Sequence, residues 1–471
     1  MRDITAMRRM LFRSSCALGA SSLIPGLRSH GTSADDSLDA ACDVPCEREQ
    51  VLTNWSATHS SRPSRVYYPR DPLEVQRVLT LYDQMGAKIR PIGTVLSPNG
   101  LAMPAKAGDA DNPSFASSIS MVNMDDISID TERMEVTVGA GATVDKILIE
   151  LSKRGLTLEN FSSIKEQQIA GWTQVSAHGT GCTLPPVEEM IVRMKIASPS
   201  QGLLTLSRNE NAAELFDYCK VGLGSLGVVT EMTLKCIPKL CLFEQSFVSE
   251  RNKVFIGHLR RLRSYRHVRY MWIPYTDSVV VVVSSPSDDC SSAAEGSAVG
   301  GCCGSAHNDS AMATKSFRNL LLAKDPTLSM QELQSMPFSS LRERLLEMAP
   351  FDLAHIKSIN AAEAEYWKAS AGTRLADSTD ILGFDCGGQQ LVYEVCIPMG
   401  SLYGPDSSNS VERSVETRDI QFVKRLLSVA EEAGVAAPPP IEQRWTARST
   451  APLSPAYSAN EVALIFNITY S

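Results

Sequence analysis

Two clusters of this 471-residue chain carry residue types and spacings that could do chemistry. The first is Ile441-Glu442-Gln443-Arg444-Trp445, which follows Pro438-Pro439-Pro440. A proline run forces extended backbone, and in extended backbone residues two apart face the same side. Glu442 and Arg444 therefore point together, while Ile441 and Trp445 anchor the strand from the other side with Gln443 between them. A carboxylate beside a permanently cationic guanidinium can orient hydroxyls and stabilise developing negative charge. The same spacing also fits an ordinary ion pair on a solvated face, and the residues alone leave that choice open. The second cluster runs from Asn160-Phe161-Ser162-Ser163-Ile164 through Gln168 and Gly171 to His178-Gly179-Thr180-Gly181. Glycines at 171, 179 and 181 let backbone N–H groups approach a phosphate, and Ser162, Ser163 and Thr180 add hydroxyls. His178 could act as a base, but its glycine neighbours favour a structural place in an anion-binding loop.

The elements that must hold these clusters can be read from periodicity and capping. Arg65 to Tyr68 reads as a strand. Asp71-Pro72-Leu73-Glu74 then opens a helix with an N-cap, an N1 proline and a capping-box glutamate, with the apolar stripe Leu73, Val75, Val78, Leu79 and Tyr82 closed by Gly86. Ile89 to Ile92 is a strand that runs into a loop from Gly93 to Gly100. Residues 102–118 read as a surface insertion. Met134 to Val138 is a strand, and a helix capped by Thr143 carries Ile147, Leu148 and Leu151 to Gly155. Strands follow near 190–197 and 203–206, then a helix near 211–220 and a strand from Val228 to Cys236. Gly222-Leu223-Gly224-Ser225-Leu226-Gly227 matches the dinucleotide fingerprint G-x-G-x-x-G, but a helix precedes it and a strand follows, the reverse of what that fold needs. These glycines read instead as close-approach positions beside another ligand. Val279 to Val283 is a buried strand, residues 285–313 are a low-complexity insert, and a helix from about 418 to 433 presents Ile420, Val423, Leu427 and Ala430 on one face.

The composition is that of a soluble globular enzyme, with 43% hydrophobic and 21% charged residues. The first 34 residues hold five arginines, several serines and one acid, which reads as a mitochondrial transit peptide; a plastid or secretory address is the competitor. Without them the formal charge moves from −8 to −12. Such acidity argues against nucleic acid and suits a basic partner. No apolar run approaches the length of about 18 residues needed to span a bilayer. The 12 cysteines lack regular spacing, so neither a disulfide framework nor a metal site is expected.

Several long blocks carry a resemblance: Asn54-Trp55-Ser56, Arg90-Pro91-Ile92-Gly93, Leu96 to Gly100, the 160–181 segment, Trp272 to Asp277, Leu382 to Gln390, and Ile441 to Arg448. From about residue 53 to 450 the chain resembles the L-galactono-1,4-lactone dehydrogenases of the aldonolactone oxidoreductase family. The resemblance implies an α+β protein: a two-part FAD-binding domain of the vanillyl-alcohol-oxidase type over residues 53–240, after a linker at 35–52, and an α+β cap domain over residues 241–471. It implies oxidation of L-galactono-1,4-lactone to L-ascorbate with cytochrome c as acceptor, in or on the inner mitochondrial membrane. An aldonolactone oxidase that uses dioxygen, and a catalytically weak scaffold for assembly of respiratory complex I, are the alternatives. Glu442 and Arg444 match the family's substrate-binding pair. Ser162 stands at the position that gates dioxygen, and Cys386 matches a redox-sensitive thiol, though an inert buried cysteine fits its residues equally. Leu96 stands where oxidase relatives carry a histidine bonded to FAD, so a noncovalent flavin is implied. Its cradle would be Arg90, Pro91, Ile92, Gly93, Thr94, Leu96, Ser97, Asn160, Ser163, Ile164, Gln168, Gly171, His178, Gly179, Thr180, Gly181, Gly224, Gly227 and Val228.

Three departures matter. Val95 replaces a usual glycine, and a β-branched residue adopts positive φ only at a cost. Ala170 replaces another. From Ala451 to Ser471 the family pattern fades, so an incomplete cap is the expectation.

Overall fold

The computed structural model describes residues 42–104, 117–209, 213–288, 312–383, 391–400, 402, 417–458 and 463–470. The transit-peptide reading, Cys386, and most of the inserts at 102–118 and 285–313 lie outside them.

Strands β1 (Cys46–Arg48), β2 (Leu52–Thr53), β3 (Ser60–Ser61) and β4 (Arg65–Tyr67) lead into helix α1 (Pro72–Gln84), then β5 (Ile89–Ile92) and β6 (Ser117–Ser120). β1, β4, β6 and β5 form one sheet in that order, with β6 parallel to both β4 and β5. Asp71 caps α1 by accepting from the Glu74 N–H at 2.9 Å, satisfying one of the helix's orphan donors. Val75, Val78, Leu79 and Tyr82 are buried as expected, but Leu73 is 65% exposed. Leu73 lies about 200° around the helix from Val75, on the face it shares with Arg77 and Gln84.

The second sheet gathers β7 (Ile127–Asp130), β8 (Glu135–Gly139), β10 (Ile191–Ser198), β11 (Gly202–Ser207) and β12 (Val228–Lys235) in the order β11-β10-β12-β8-β7. Between its strands lie α2 (Val144–Ser152), the short β9 (Leu156–Thr157), α3 (Ile169–Gln174) and α4 (Ala213–Lys220); β9 pairs with β13 (Ile237–Pro238). Thr143 caps α2 as its sequence indicates. The Gly222–Gly227 turn connects α4 to β12, in the order read from the sequence.

The third sheet is antiparallel and runs β17-β14-β16-β15-β19-β20-β18. Its strands are β14 (Cys241–Glu250), β15 (His267–Trp272), β16 (Ser278–Ser287), β17 (Gly372–Asp377), β18 (Leu391–Pro398), β19 (Ile441–Trp445) and β20 (Ala463–Tyr470). Helices α5 (Arg251–Ile256), α6 (His258–Ser264) and α12 (Arg418–Glu432) cover one face, where Val254, Leu262, Val423 and Leu427 pack on Tyr270, Trp272, Val279, Val281 and Val283. The other face is covered at one end by α7 (Lys315–Lys324), α8 (Met330–Gln334), α9 (Phe338–Met348) and α10 (Leu353–Ala369), against Met271, Val280 and Val282. The unbroken Val279–Val283 run follows from this: alternate valines enter two different cores, so no position faces water. A short helix, α11 (Ser378–Leu382), follows β17.

The expected incomplete end of the cap after Ala451 is not what the structure shows for residues 463–470. Residues 463–470 form β20, which pairs with β19 on one side and β18 on the other. Cys241 is disulfide-bonded, which the scattered cysteine spacing gave no sign of.

Candidate active site

Glu442 and Arg444 project from β19, whose opposite face is locked by a buried polar network. Asp419, at the start of α12, accepts from Gln443 Nε2 and from Trp445 Nε1, each at 3.2 Å, and its carboxylate lies 2.9 Å from His258 Nε2. The Trp272 indole donates to Gln443 Oε1 at 2.9 Å. Burial works against ionisation of Asp419, yet the contacts and charge of His258 outweigh it and hold the carboxyl below its usual range. With Ile441, Gln443 and Trp445 fixed inward, the strand's alternation commits Glu442 and Arg444 to the other face.

There the ordinary surface-pair reading fails on burial, since both side chains are 12% exposed. Arg444 Nη2 lies 3.2 Å from Glu442 Oε2, and Arg269 Nη1 lies 3.4 Å from Glu442 Oε1. Arg269 is the cross-strand partner of Arg444, which sets two guanidiniums side by side on one carboxylate. Arg444 Nε is buried with no hydrogen-bond partner among the described residues. A buried cationic donor left open costs free energy unless something fills it.

What faces Arg444 is the 160–181 loop. A cleft of about 410 Å³, part of it open to solvent, is lined by Phe161, Ser163, Gly179 and Thr180 from the loop and by Arg269 and Arg444 from the sheet. The loop is sewn to the strand: Gly181 N–H donates to Trp445 O at 2.6 Å, and Thr180 Oγ1 donates to Val268 O at 2.5 Å. His267, whose Nδ1 lies 2.7 Å from Thr180 O, is pushed down to about 4 by burial, so it stands neutral in the wall. Gly179 has to be glycine, because a Cβ would stand 2.6 Å from Phe161 O and against Asn160 Oδ1. Ser162 does not leave its hydroxyl free: it accepts from Trp172 Nε1 at 2.7 Å and donates to Gln167 Oε1 at 2.9 Å.

The upstream residues converge on the same loop. A Cβ at Gly93 would meet Gln168 Oε1 at 3.2 Å, Thr94 Oγ1 donates to Glu166 O at 3.3 Å, and a Cβ at Gly224 would strike Pro91 Cγ at 2.7 Å. Arg90 to Ser97, Gln168 and the Gly224 turn are thus brought together around the end of β5. Gly227 is required by the backbone of Ala197, 2.6 Å from its missing Cβ, and Val228 is a buried residue of β12. Gly171 lies within α3, and a Cβ there would meet nothing inside 4 Å. Val95 does adopt φ +56°, with its carbonyl accepting from Trp55 N–H at 3.0 Å. Asn160 Nδ2 is buried without a partner. Unpaired donors at Asn160 and Arg444 and the glycine approaches of the loop suit an acceptor-rich group such as a flavin dinucleotide.

His178 is 5% exposed, and both ring nitrogens are engaged, Nδ1 3.0 Å from Gly179 O and Nε2 3.0 Å from Glu394 Oε2. Partial burial opposes ionisation of Glu394, whose side chain keeps 33% exposure, but His178 and, more weakly, the Arg444 charge hold its carboxyl below the usual range. Sequence reading missed Arg269, His267 and Glu394. The alternation His267-Val268-Arg269-Tyr270-Met271-Trp272 was a usable sign for the first two, polar and flexible residues on one face and large apolar ones on the other. Nothing local marks Glu394.

The arrangement defines a flavin-binding oxidoreductase with a cap sheet over the cofactor loop. Residues 63–207 match the FAD binding domain profile, and residues 232–470 match that of D-arabinono-1,4-lactone oxidase. The chain belongs to the D-arabinono-1,4-lactone oxidase family, in its FAD-dependent branch that includes the plant L-galactono-1,4-lactone dehydrogenases. It is 41% identical to mitochondrial L-galactono-1,4-lactone dehydrogenase 2 of Oryza sativa subsp. japonica, over 87% of this chain and 67% of that one. The mitochondrial enzyme of Arabidopsis thaliana is 37% identical over 87% of this chain and 65% of its own length. The L-gulonolactone oxidase of Mus musculus is 28% identical over about half of each chain, 49% and 50%. The chain thus spans about two thirds of the length of these plant relatives. Among solved structures, cholesterol oxidase from B. sterolicum superimposes with a TM-score of 0.68 over 95% of this chain and 82% of that one, at 14% identity, which is a likeness of fold.

Proposed function

We propose that this chain is a mitochondrial FAD-dependent dehydrogenase that oxidises L-galactono-1,4-lactone to L-ascorbate and passes the electrons to cytochrome c. The observation that carries the reading is the unpartnered Arg444 Nε, buried in a cleft whose opposite wall is the Phe161–Thr180 loop. The plant relatives named for this activity support the choice of lactone. FAD, when bound, supplies the two-electron acceptor. Leu96 has no nucleophilic atom, which favours noncovalent attachment. The Asn160–Gly181 loop, Arg90 to Ser97 and the Gly224 turn would hold the cofactor, with Asn160 Nδ2 as an available donor.

On the substrate side, Arg444 would donate to the lactone oxygen that gains negative charge as its hydroxyl proton passes to the Glu442 carboxylate. Glu442, fixed on both oxygens by Arg269 and Arg444, accepts from the neighbouring sugar hydroxyls and sets the lactone's orientation. A planar fork in contact with a carboxylate holds that geometry better than a point charge. Ser162 narrows the approach of dioxygen to the loop, which favours a carrier protein as acceptor, and the acidic balance suits a basic carrier. Assistance to complex I assembly would be a separate, non-catalytic role.

The test is anaerobic. Purified yellow protein mixed with L-galactono-1,4-lactone should lose its visible flavin absorbance and regain it on addition of ferricytochrome c. Absorbance that persists with every aldonolactone tried would remove the catalytic reading. Rapid recovery in air with stoichiometric peroxide would assign the chain to the oxidases instead.

A further inference from the structure

We propose that His178 and Glu394 act as one ionised pair, imidazolium and carboxylate, that positions the Arg444 guanidinium in the cleft. The kinetic part of this inference rests on the lactone-oxidation reading; the state of the pair does not.

The argument begins with a count of protons. His178 Nδ1 faces the carbonyl oxygen of Gly179 and Nε2 faces Glu394 Oε2, both at 3.0 Å. A carbonyl and a carboxylate accept and do not donate. A neutral imidazole carries one N–H, so one of the two contacts would set lone pair against lone pair in a site where His178 is 5% exposed. Both contacts are satisfied only if the pair holds one more proton. The permanently cationic Arg444 within reach favours the carboxylate form of Glu394, so that proton belongs on the ring.

The second strand of the argument is register. Glu394 and Glu442 are both aligned with Asn467 of β20, one from each side. They therefore share a face of the sheet, with their backbones about 10 Å apart. Arg444, two residues beyond Glu442, is on the same face, in contact with Glu442 and within electrostatic reach of Glu394. The charged groups facing this spot are His178 from the loop, Arg269 from β15, Glu442 and Arg444 from β19 and Glu394 from β18, with the Cys396 thiol two residues along, pushed up to about 12 by burial and by the Glu394 charge. A single carboxylate would let the guanidinium turn about its contact with Glu442. A second negative centre within reach restricts that turning and leaves Nε without a partner among the described residues. Because His178 sits in the cofactor loop and Glu394 in the cap sheet, the pair also couples that orientation to closure of the sheet on the loop.

Glu394→Gln separates this role from simple docking. A glutamine amide can donate to Nε2 while Nδ1–H keeps Gly179 O, so the contact survives with a neutral ring and no charge beside Arg444. The FAD-loaded full chain, labelled with ¹⁵N-histidine and assigned by comparison with His178→Gln, should show both His178 nitrogens protonated at neutral pH, and one unprotonated nitrogen in Glu394→Gln. In stopped flow with L-galactono-1,4-lactone, Glu394→Gln should reduce the limiting rate of flavin reduction on the order of tenfold, with little change in the lactone concentration needed for half the effect. In an Arg444→Lys background the same substitution should add almost nothing, read both in reduction rate and in FAD affinity, because both changes remove one arrangement. An unprotonated His178 nitrogen in the parent protein would overturn the pair, and additive losses would overturn its action through Arg444. Failure of every lactone to bleach the parent protein would instead count against the proposed function, while the nitrogen spectra and the FAD affinities would still decide this one.

Discussion

Lys220→Met should be among the most damaging single changes outside the cleft. The Lys220 side chain is 1% exposed, at the end of α4, and its Nζ lies 2.8 Å from Glu189 Oε1, 3.1 Å from Asp217 Oδ1 and 2.9 Å from Thr450 Oγ1. Methionine fills similar volume but leaves two carboxylates facing each other. Breaking a buried pair in this way costs about 3–5 kcal/mol. Two features place the loss near the lower figure: Arg208 stays 2.8 Å from Asp217, and Glu189 keeps donors from Ser449 Oγ at 2.9 Å and Thr450 N at 2.8 Å. We therefore expect a loss of about 3 kcal/mol at neutral pH. The pH dependence has a definite sign. Burial opposes ionisation of Glu189 and of Asp217, but Lys220 acting on both, and Arg208 on Asp217, leave each carboxyl below its ordinary value. Groups lowered in this way contribute stability above their unfolded values, near 4, and lose it as pH falls through the folded values. The gap between parent and variant should thus be largest near pH 7.5 and shrink toward pH 4.5, where the facing carboxyls of the variant take up protons. Urea unfolding of the FAD-loaded proteins at the two pH values measures it. A loss under about 1 kcal/mol at pH 7.5, or one of equal size at both, would refute the reasoning. The cluster also pins Ser449 and Thr450, four and five residues beyond Trp445, so the variant should need a higher lactone concentration for half-maximal reduction.

Arg444→Lys should slow flavin reduction by at least about 100-fold, since a compact ammonium cannot reproduce the planar spread of guanidinium donors beside Glu442; near-parental stopped-flow rates would contradict this. Gly179→Ala should expel the loop from its place, because its Cβ meets the backbone at Phe161 O; apoprotein or sharply weakened FAD binding in fluorescence titration is the expected outcome. Val95→Gly should stabilise the loop by up to about 1 kcal/mol, as the cost of φ +56° for a β-branched residue exceeds the extra chain entropy of glycine. An unchanged FAD dissociation constant and unchanged urea midpoint would show that the loop carries no such strain.

The sequence determined whatever rests on local covalent chemistry. Asp71 and Thr143 announced their helices because each cap satisfies donors within its own first turn. Pro438 to Pro440 and strict alternation put Glu442 and Arg444 on one face and Trp445 on the other, and Val95 was readable as a strained position because φ preference is a property of the residue. The family resemblance brought the two clusters into one functional reading. Partnership was decided only by the tertiary structure. His178 and Glu394 are 216 residues apart in sequence. Arg269 reaches Glu442 only because β15 pairs with β19 in that register, and β20 enters between β18 and β19 although nothing local in its stretch announced that place. A strand's alternation defines its two faces but not its neighbours, since register and pairing depend on which distant strand closes the sheet. That is why the placing of Glu442 and Arg444 on one face was legible in the sequence, and why the carboxylate and imidazole that frame them were not.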